Sequence, residues 1–218
     1  MIKYLDFKRL MFNRIGFNGI GKITFDHLPE ILESFSNKVP YNNFHFFENH
    51  IKGTARNDLI DKILIQGTGG LSYQLNGLMF YFLKESGFDV NLISCRLKIL
   101  KQWTKESIHL SLILNDRGKR YMVEVGTGSL LPQKPVLLVE NHKDCNSSVI
   151  ENQIGVKFRF HGNNNLFGHQ YLLESKKPES EKWEPLLSTD MLYRKDIAGA
   201  IRESHEYSLD MDLTIIFI

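Results

Sequence analysis

The chain has 218 residues, of which 42% are hydrophobic and 24% are charged, a composition typical of a globular protein with a sizeable core. Its 27 basic and 25 acidic residues give a formal net charge of +2, and no long run of one sign predicts a nucleic-acid or membrane surface. No apolar stretch approaches the ~20 residues that span a bilayer, and we expect no signal peptide because the N-terminus is charged throughout. The two widely separated cysteines, Cys95 and Cys145, favour a reduced, cytoplasmic protein.

Amphipathic helices are predicted for the first third of the chain. Apolar residues recur at helical spacing over residues 28–35 and again over 59–64. Residues 67–70, Gly-Thr-Gly-Gly, predict a flexible loop. A third helical pattern follows this loop as far as Gly87, which is well placed to end a helix. Ser72 therefore falls at or just inside the N-terminus of the third helix.

Beyond Gly87 the apolar pattern changes to the alternation of strands. Strands are predicted at residues 90–97, 108–115, 120–125, 136–140, 157–161 and 170–174. The segments 116–119 and 161–165 are rich in turn-forming residues and are predicted to be turns. A helical segment at 190–203 and a final apolar strand follow. The middle of the chain is therefore predicted to be mostly antiparallel β.

One predicted hairpin brings a histidine and a glutamate together. If the hairpin is symmetric about Arg117–Gly118, Asn115 pairs with Arg120, and His109 and Glu124 become diagonal neighbours on one face. Their Cβ atoms would then be roughly 7–8 Å apart, within reach of long side chains. A slip of one residue would place the two side chains on opposite faces, so this register is a testable geometric prediction.

Ser72 could complete a catalytic triad with this pair. A carboxylate that accepts from a histidine N–H fixes the tautomer and stabilises the charged ring, and a nucleophile at the other ring nitrogen completes the set. The free N–H groups at a helix N-terminus favour an oxyanion. The alternative is purely structural, with Ser72 as a helix cap and His109 and Glu124 as surface residues.

Five pieces of the chain resemble the arylamine N-acetyltransferase family, in the family's order and spacing. Residues 39–44, VPYNNF, resemble its Ile-Pro-Phe-Glu-Asn-Leu. Residues 69–78, GGLSYQLNGL, are similar to its Arg-Gly-Gly-x-Cys signature, which continues with an aromatic residue, Glu or Gln, and x-Asn-Gly. Residues 87–90 resemble the next family segment, His109 falls at the position of the family's catalytic histidine, and residues 124–128, EVGTG, resemble Asp-Val-Gly-Phe-Gly.

The resemblance implies an α+β fold with a cysteine-protease-like core. It has three parts. A helical bundle over residues 1–86 carries the serine, an antiparallel β-barrel over 87–187 carries the histidine and the glutamate, and an α/β lid follows over 188–218. The match fades after about residue 140 and the chain ends earlier than most family members do, so we expect the lid to be shortened.

The resemblance also implies a reaction. The family takes acetyl from acetyl-CoA onto a cysteine and passes it to an arylamine, an N-hydroxyarylamine or a hydrazine. By correspondence Ser72 stands for the nucleophilic cysteine, His109 for the imidazole and Glu124 for the triad aspartate. A cysteine paired with imidazolium reaches its thiolate near neutral pH, whereas a serine must lose its proton as it attacks.

Other positions also depart from the family pattern. The loop that the family places near CoA corresponds here to Gly126, Thr127, Gly128 and Ser129. Thr127 replaces a phenylalanine that helps to shape the family's acceptor pocket. Thr68 and Asn42 replace an arginine and a glutamate that are thought to pair near the site. Losing both partners of a buried ion pair together can be nearly neutral, which favours natural divergence of the site.

Three functions remain open from the sequence. The first is an acetyl-CoA-dependent acyltransferase that works through Ser72. The second is a Ser-His-Glu acyl hydrolase, in which His109 activates a water to clear the acyl-serine. The third is a catalytically silent pseudoenzyme that binds CoA, a small aromatic ligand or a partner protein, which the missing thiol and the missing ion pair favour.

No metal site is expected. Residues 142–145, His-Lys-Asp-Cys, contain possible ligands, but no second ligand pair with zinc-like spacing accompanies them in the sequence. We therefore predict that this segment is a polar loop.

Overall fold

A computed structural model describes residues 2–19, 21–42, 54–99, 102–128, 130–165 and 168–209. The apolar strand predicted for the end of the chain lies outside the described residues. Within them, every helix is too short or too polar to cross a bilayer.

The N-terminal part is helical, as predicted. Its helices are α1 (Tyr4–Ile15), α2 (Leu28–Lys38), α3 (Arg56–Leu59), which continues as a π-helix (Ile60–Ile65), and α4 (Ser72–Glu85). Their apolar faces pack into one buried cluster that extends onto the adjoining strands. The helix α4 is buried on nearly all sides and is therefore the central element of this cluster.

Gly87 ends α4, as the sequence predicts. Its backbone has φ of +93°, in the left-handed region that a glycine adopts without steric cost. The next residue, Phe88, donates its N–H to the Leu83 carbonyl at 3.1 Å, which is the bonding pattern of a glycine-terminated helix.

In the described residues, ten strands follow α4. They are β1 (Asp89–Ile99), β2 (Gln102–Trp103), β3 (His109–Asp116), β4 (Lys119–Val123), β5 (Val136–Val139), β6 (Ile150–Glu151), β7 (Lys157–Asn165), β8 (Gly168–Lys176), β9 (Glu184–Thr189) and β10 (Tyr193–Arg194). Seven of them pair in the order β1-β3-β4-β5-β7-β8-β9, and β9 pairs back onto β1. The sheet thus closes into a barrel with its own buried apolar cluster.

One pair in the barrel is parallel, whereas the sequence predicts an antiparallel barrel. Strands β5 and β7 run in the same direction, with Val139 opposite His161. Parallel neighbours need a crossover connection rather than a tight hairpin. The chain supplies one between them, made of a 3₁₀ helix (His142–Ser148) and the short strand β6.

Two other local predictions are wrong. The segment 161–165 is not a turn but the second half of β7, because it pairs along β8 as far as Asn165 opposite Gly168. The helix predicted from residue 190 begins later, since Tyr193–Arg194 forms β10 against β1. The last helix, α5 (Ile197–Leu209), starts after Asp196, whose carboxylate accepts from the Gly199 N–H at 2.9 Å.

The helix α5 packs on α4 directly behind the start of that helix. The Tyr73 hydroxyl lies 2.7 Å from Nδ1 of His205. A Cβ atom on Gly77 would lie 2.7 Å from Ile201, so the two helices approach closely where α4 carries a glycine. The end of the described chain therefore supports the helix that begins at Ser72.

The aromatic centre of the helical cluster should dominate its stability. The Phe82 side chain is fully buried, and its ring contacts Phe7 and Phe12 with centroids 5.8 and 6.0 Å away. We expect Phe82→Ala to lower the free energy of unfolding by about 3–5 kcal/mol because it leaves a cavity. Urea denaturation checks this.

The matched control is Leu5→Ala, which also truncates an apolar side chain. Leu5 is 76% exposed on α1, so the change should stay within about 0.5 kcal/mol. A Phe82→Ala loss no larger than that of the control would contradict this packing.

Candidate active site

Ser72 begins α4 at the end of a glycine-rich loop that is held against residues 40–42. The Gly70 N–H donates to the Pro40 carbonyl at 3.2 Å, and the Asn42 N–H donates to the Gly70 carbonyl at 3.1 Å. A Cβ atom on Gly69 would lie 1.9 Å from the Pro40 oxygen, so only a glycine permits this approach. The loop fixes where α4, and therefore Ser72, begins.

The first turn of α4 offers backbone N–H groups. The Leu71 N–H donates to Oε1 of Gln74 at 3.0 Å, which caps the helix. The N–H groups of Ser72 and Tyr73 find no acceptor in the part of the chain that the structure describes. Such groups and the helix dipole stabilise negative charge at this end of a helix.

The predicted hairpin register is confirmed. Asn115 pairs with Arg120, and the ladder runs to Leu112 opposite Val123. This register brings His109 and Glu124 together, with His109 Nε2 2.9 Å from Glu124 Oε2. Both side chains are buried, so the alternative of two surface residues is wrong.

Asn76 holds the other oxygen of the Glu124 carboxylate. Its Nδ2 donates to Oε1 of Glu124 at 2.9 Å and to the Leu110 carbonyl at 2.7 Å, and its Oδ1 accepts from the Val125 N–H at 3.1 Å. The Gly126 N–H also donates to Oε1, at 2.6 Å. These bonds draw the chain off the ladder after Val123, so β4 ends earlier than the sequence predicts.

The surroundings of Glu124 favour its ionised form. Burial raises the pKa of Glu124. The charge of His109 and the hydrogen bonds from His109 and Asn76 outweigh this effect, and the pKa lies below its usual value. Glu124 is therefore a buried carboxylate at neutral pH, and its partner His109 is oriented by it.

Gly126 brings Ser72 against this pair. A Cβ atom on Gly126 would lie 2.7 Å from the Ser72 Cα atom, 3.0 Å from its Cβ atom and 2.7 Å from Nδ2 of Asn76. The segment that carries Glu124 thus lies directly on the first turn of α4. Any side chain at position 126 would force this segment away from the first turn of α4.

The Ser72 hydroxyl and one nitrogen of the His109 ring are the groups of this site that could react together. Nε2 of His109 faces Glu124, so Nδ1 is the ring nitrogen that remains for a nucleophile. Across the described ranges, neither this Nδ1 nor the Ser72 hydroxyl makes a hydrogen bond. A bond between these two groups would complete a serine, histidine and glutamate triad.

The loop after Gly126 lies beside the same site. Thr127 donates its hydroxyl to the Leu130 carbonyl at 2.6 Å, so this side chain shapes the loop. Gly128 has φ of +74°, and a Cβ atom there would be 3.7 Å from the Tyr41 ring. Ser129, the fourth residue predicted to contact CoA, lies outside the described residues.

The model of the N-acetyltransferase family matches residues 24–209, which is most of the chain. This chain belongs to the arylamine N-acetyltransferase family. The probable arylamine N-acetyltransferase 3 of Dictyostelium discoideum is 25% identical over 184 residues, which are 81% of this chain and 58% of that protein. The chain therefore spans little more than half the length of this curated relative.

Solved structures of the family share the fold. The NAT3 arylamine N-acetyltransferase of Bacillus cereus is 28% identical in sequence and superposes with a TM-score of 0.77. The match covers 91% of this chain and 75% of the B. cereus chain. That protein is described as having a unique Cys-His-Glu catalytic triad. Arylamine N-acetyltransferase C of Bacillus anthracis is 26% identical with a TM-score of 0.80, over 97% of this chain and 78% of its own.

The two positions that depart from the family's ion pair behave differently. Thr68 donates its hydroxyl to the Lys62 carbonyl at 2.6 Å, so this side chain is satisfied. Asn42 is buried beside Gly69, and its Oδ1 has no partner in the described segments. Of these two uncharged side chains, only Asn42 therefore keeps a buried acceptor without a hydrogen bond in the described residues.

Neither cysteine of the chain supplies the missing thiol. Cys95 lies opposite His109 in the β1–β3 ladder but is fully buried. Burial raises the pKa of Cys95 well above its usual value, and the charge of Glu124 raises it further, so the thiol is inert. Cys145 is also buried, and Arg159 donates from Nη1 to its Sγ at 3.1 Å.

The sequence pattern assigns no role to two residues of this site. Asn76 belongs to the family motif, and its place four residues after Ser72, on the same face of α4, is the signal that could find it. Tyr41 forms a bridge with Gly70. Its own burial and the charge of Glu124 raise its pKa to about 12. No periodicity in the sequence points to Tyr41.

Removing the Asn76 amide should destabilise the protein. We expect Asn76→Leu to lower the free energy of unfolding by about 2–4 kcal/mol, because the Glu124 carboxylate and two buried backbone groups lose their partner. Urea denaturation measures this, with Asn13→Leu as control, since Asn13 is exposed on α1. Equal losses in the two variants would contradict the role of Asn76.

The pH dependence of stability should report on Glu124. Because its pKa is lowered on folding, the carboxylate stabilises the native state above its unfolded value of about 4.3. This contribution is lost as the pH falls through the folded value. The difference in unfolding free energy between the unchanged protein and Glu124→Gln should therefore be largest near pH 7 and should shrink below about pH 4.

Urea denaturation at several pH values between 7 and 3 tests this expectation. The same substitution at Glu179, which is exposed, should leave the unfolding free energy unchanged throughout. A Glu124→Gln difference that stays constant with pH would show that the carboxylate is not preferentially ionised in the folded protein.

Proposed function

We propose that this protein transfers an acetyl group from acetyl-CoA to a small aromatic amine, or to a related N-hydroxyarylamine or hydrazine, through an acyl-serine at Ser72. The observation that carries the proposal is the buried His109–Glu124 pair, which Gly126 packs against Ser72. Membership of the arylamine N-acetyltransferase family supports the substrates.

The first half-reaction forms the acyl-enzyme. The Ser72 oxygen attacks the thioester carbonyl while its proton passes to Nδ1 of His109. Glu124 stabilises the imidazolium that results. The backbone N–H groups of Ser72 and Tyr73 are available to stabilise the oxyanion. The carbon–sulfur bond then breaks, and the CoA sulfur takes the proton from His109.

The second half-reaction releases the product. The amine nitrogen attacks the serine ester, and the carbon–oxygen bond breaks. The proton that the amine loses returns to the Ser72 oxygen through His109. Because an oxygen ester is more stable than a thioester, we expect acylation of Ser72 to be energetically downhill and transfer to the amine to be the slower half.

Glu124 can take the place of the aspartate in the family's triad. Its side chain is longer than aspartate by one methylene, and the carboxylate is still well placed, because Asn76 and Gly126 donate to Oε1 while Oε2 faces His109. The B. cereus relative, described as having a Cys-His-Glu triad, supports glutamate in this role. The loop of Gly126, Thr127, Gly128 and Ser129 is the part of the site that we assign to CoA, on the family resemblance and on its position beside Ser72.

Intact mass after incubation with acetyl-CoA tests the proposal. We expect an acetyl adduct on the unchanged protein and none on Ser72→Ala. With His109→Ala the adduct should form about a hundredfold or more slowly, because the general base is lost. Ser147→Ala, which removes an exposed hydroxyl on the 3₁₀ helix, should acylate normally. Acylation that persists in Ser72→Ala would contradict the proposal.

The replaced thiol favours a second candidate, a silent member of the family that binds its ligands without turnover. Ser72→Cys separates the two candidates. If only this variant forms an acetyl-enzyme, the site is an intact acyltransferase silenced at its nucleophile. An adduct that forms on the unchanged protein and is then lost without an amine would indicate an acyl hydrolase.

A further inference from the structure

A second group of possible metal ligands lies on the barrel and consists of His142, His161 and Glu174. Nitrogen and carboxylate ligand atoms of these three residues lie within 4.8 Å of one another. The three residues come from separate parts of the chain, so no motif of closely spaced ligands in the sequence predicts this cluster. None of them takes part in the Ser72 site.

The barrel topology assembles this cluster. His161 lies on β7 opposite Leu172 of β8, two residues before Glu174. The parallel pairing of β5 with β7 places Val139 opposite His161, and the chain then passes directly over β7 to reach His142. A Cβ atom on Gly162 would lie 2.4 Å from the Glu140 carbonyl oxygen, so the glycine permits this close crossing.

The hydrogen bonds of His161 prepare a ligand nitrogen. Its Nδ1 lies 3.0 Å from the Gly162 carbonyl and donates to it. A backbone carbonyl in this position is the usual outer partner of a metal-binding histidine, because it fixes the tautomer and orients the ring. The other nitrogen, Nε2, lies 2.9 Å from Oε2 of Glu174. Nε2 of His161 and this carboxylate oxygen therefore face one another as two neighbouring ligand atoms.

Two further ligand atoms lie beside His161, one on Glu174 and one on His142. Arg159 donates to Oε2 of Glu174 at 2.7 Å, while Oε1 has no hydrogen bond in the portion of the chain that is described. His142 is exposed and packs edge-on against His161, with ring centroids 4.7 Å apart. Its ring nitrogens have no hydrogen-bond partner in the same ranges. One imidazole and one carboxylate oxygen are thus available beside Nε2 of His161.

We propose that His142, His161 and Glu174 form a binding site for a divalent transition metal of the zinc type. Two imidazoles and one carboxylate are a donor set that zinc accepts, with water in the fourth position. The bound ion would link the 3₁₀ helix (His142–Ser148) to β7 and β8. The charge of Arg159 opposes the ion, so binding is weaker than at an otherwise identical site without it.

The test uses the full chain, freed of metal with a chelator and titrated with Zn²⁺ alone in a calorimeter. We expect one ion per chain at this site, with an increase in Tm of about 5 °C at saturating Zn²⁺. Co²⁺ should give the intense visible absorption of a four-coordinate site. His142→Ala removes an exposed side chain and should fold, but we expect it to weaken binding more than about tenfold and to remove the Tm increase.

Asp144→Ala is the matched control. Asp144 is an exposed potential ligand on the same 3₁₀ helix but outside the cluster, so binding should be unchanged. Failure of the unchanged protein to bind Zn²⁺ would overturn the proposal. Equal binding by His142→Ala and the unchanged protein would also overturn it, because the ion would then be held elsewhere.

Discussion

The buried carboxylate of Glu124 is the constraint on which the site depends. A charge taken out of water is tolerated only if hydrogen bonds and an opposite charge replace the water. Here the replacements come from three elements, with His109 on β3, Asn76 on α4 and the Gly126 N–H on the segment after β4. Satisfying one carboxylate therefore joins the helical part of the fold to the barrel and fixes the distance between them at the place where Ser72 begins α4.

The same arrangement determines what chemistry is available. Because Nε2 of His109 faces Glu124, we propose that Nδ1 accepts the proton of Ser72. A cysteine in this position could rest as a thiolate paired with the imidazolium. A serine has no accessible anion at neutral pH, so in the proposed reaction proton transfer coincides with attack and depends on the orientation of the ring. The hydrogen bonds of Asn76 hold the carboxylate that orients this ring.

The sequence predicts the parts of this site that depend on local pattern. The turn at Arg117–Gly118 sets the register that pairs Asn115 with Arg120, and the apolar period between Gly70 and Gly87 sets the start of α4. The features that the sequence does not predict depend on contacts between segments that are distant in the chain. The parallel pairing of β5 with β7, the strand β10 in place of a helix, and the meeting of His142 with His161 all result from how the barrel closes. The family resemblance predicts the overall fold, but it assigns no role to Asn76 or Tyr41.

Labelling with a fluorophosphonate, which reacts preferentially with a serine oxygen that an adjacent base activates, tests the central claim most directly. Peptide mapping after labelling should find the modification at Ser72 in the unchanged protein, and a folded His109→Gln variant should be labelled far more slowly at the same residue. No labelling at Ser72, or equal labelling in His109→Gln, would contradict the claim that the His109–Glu124 pair activates this serine.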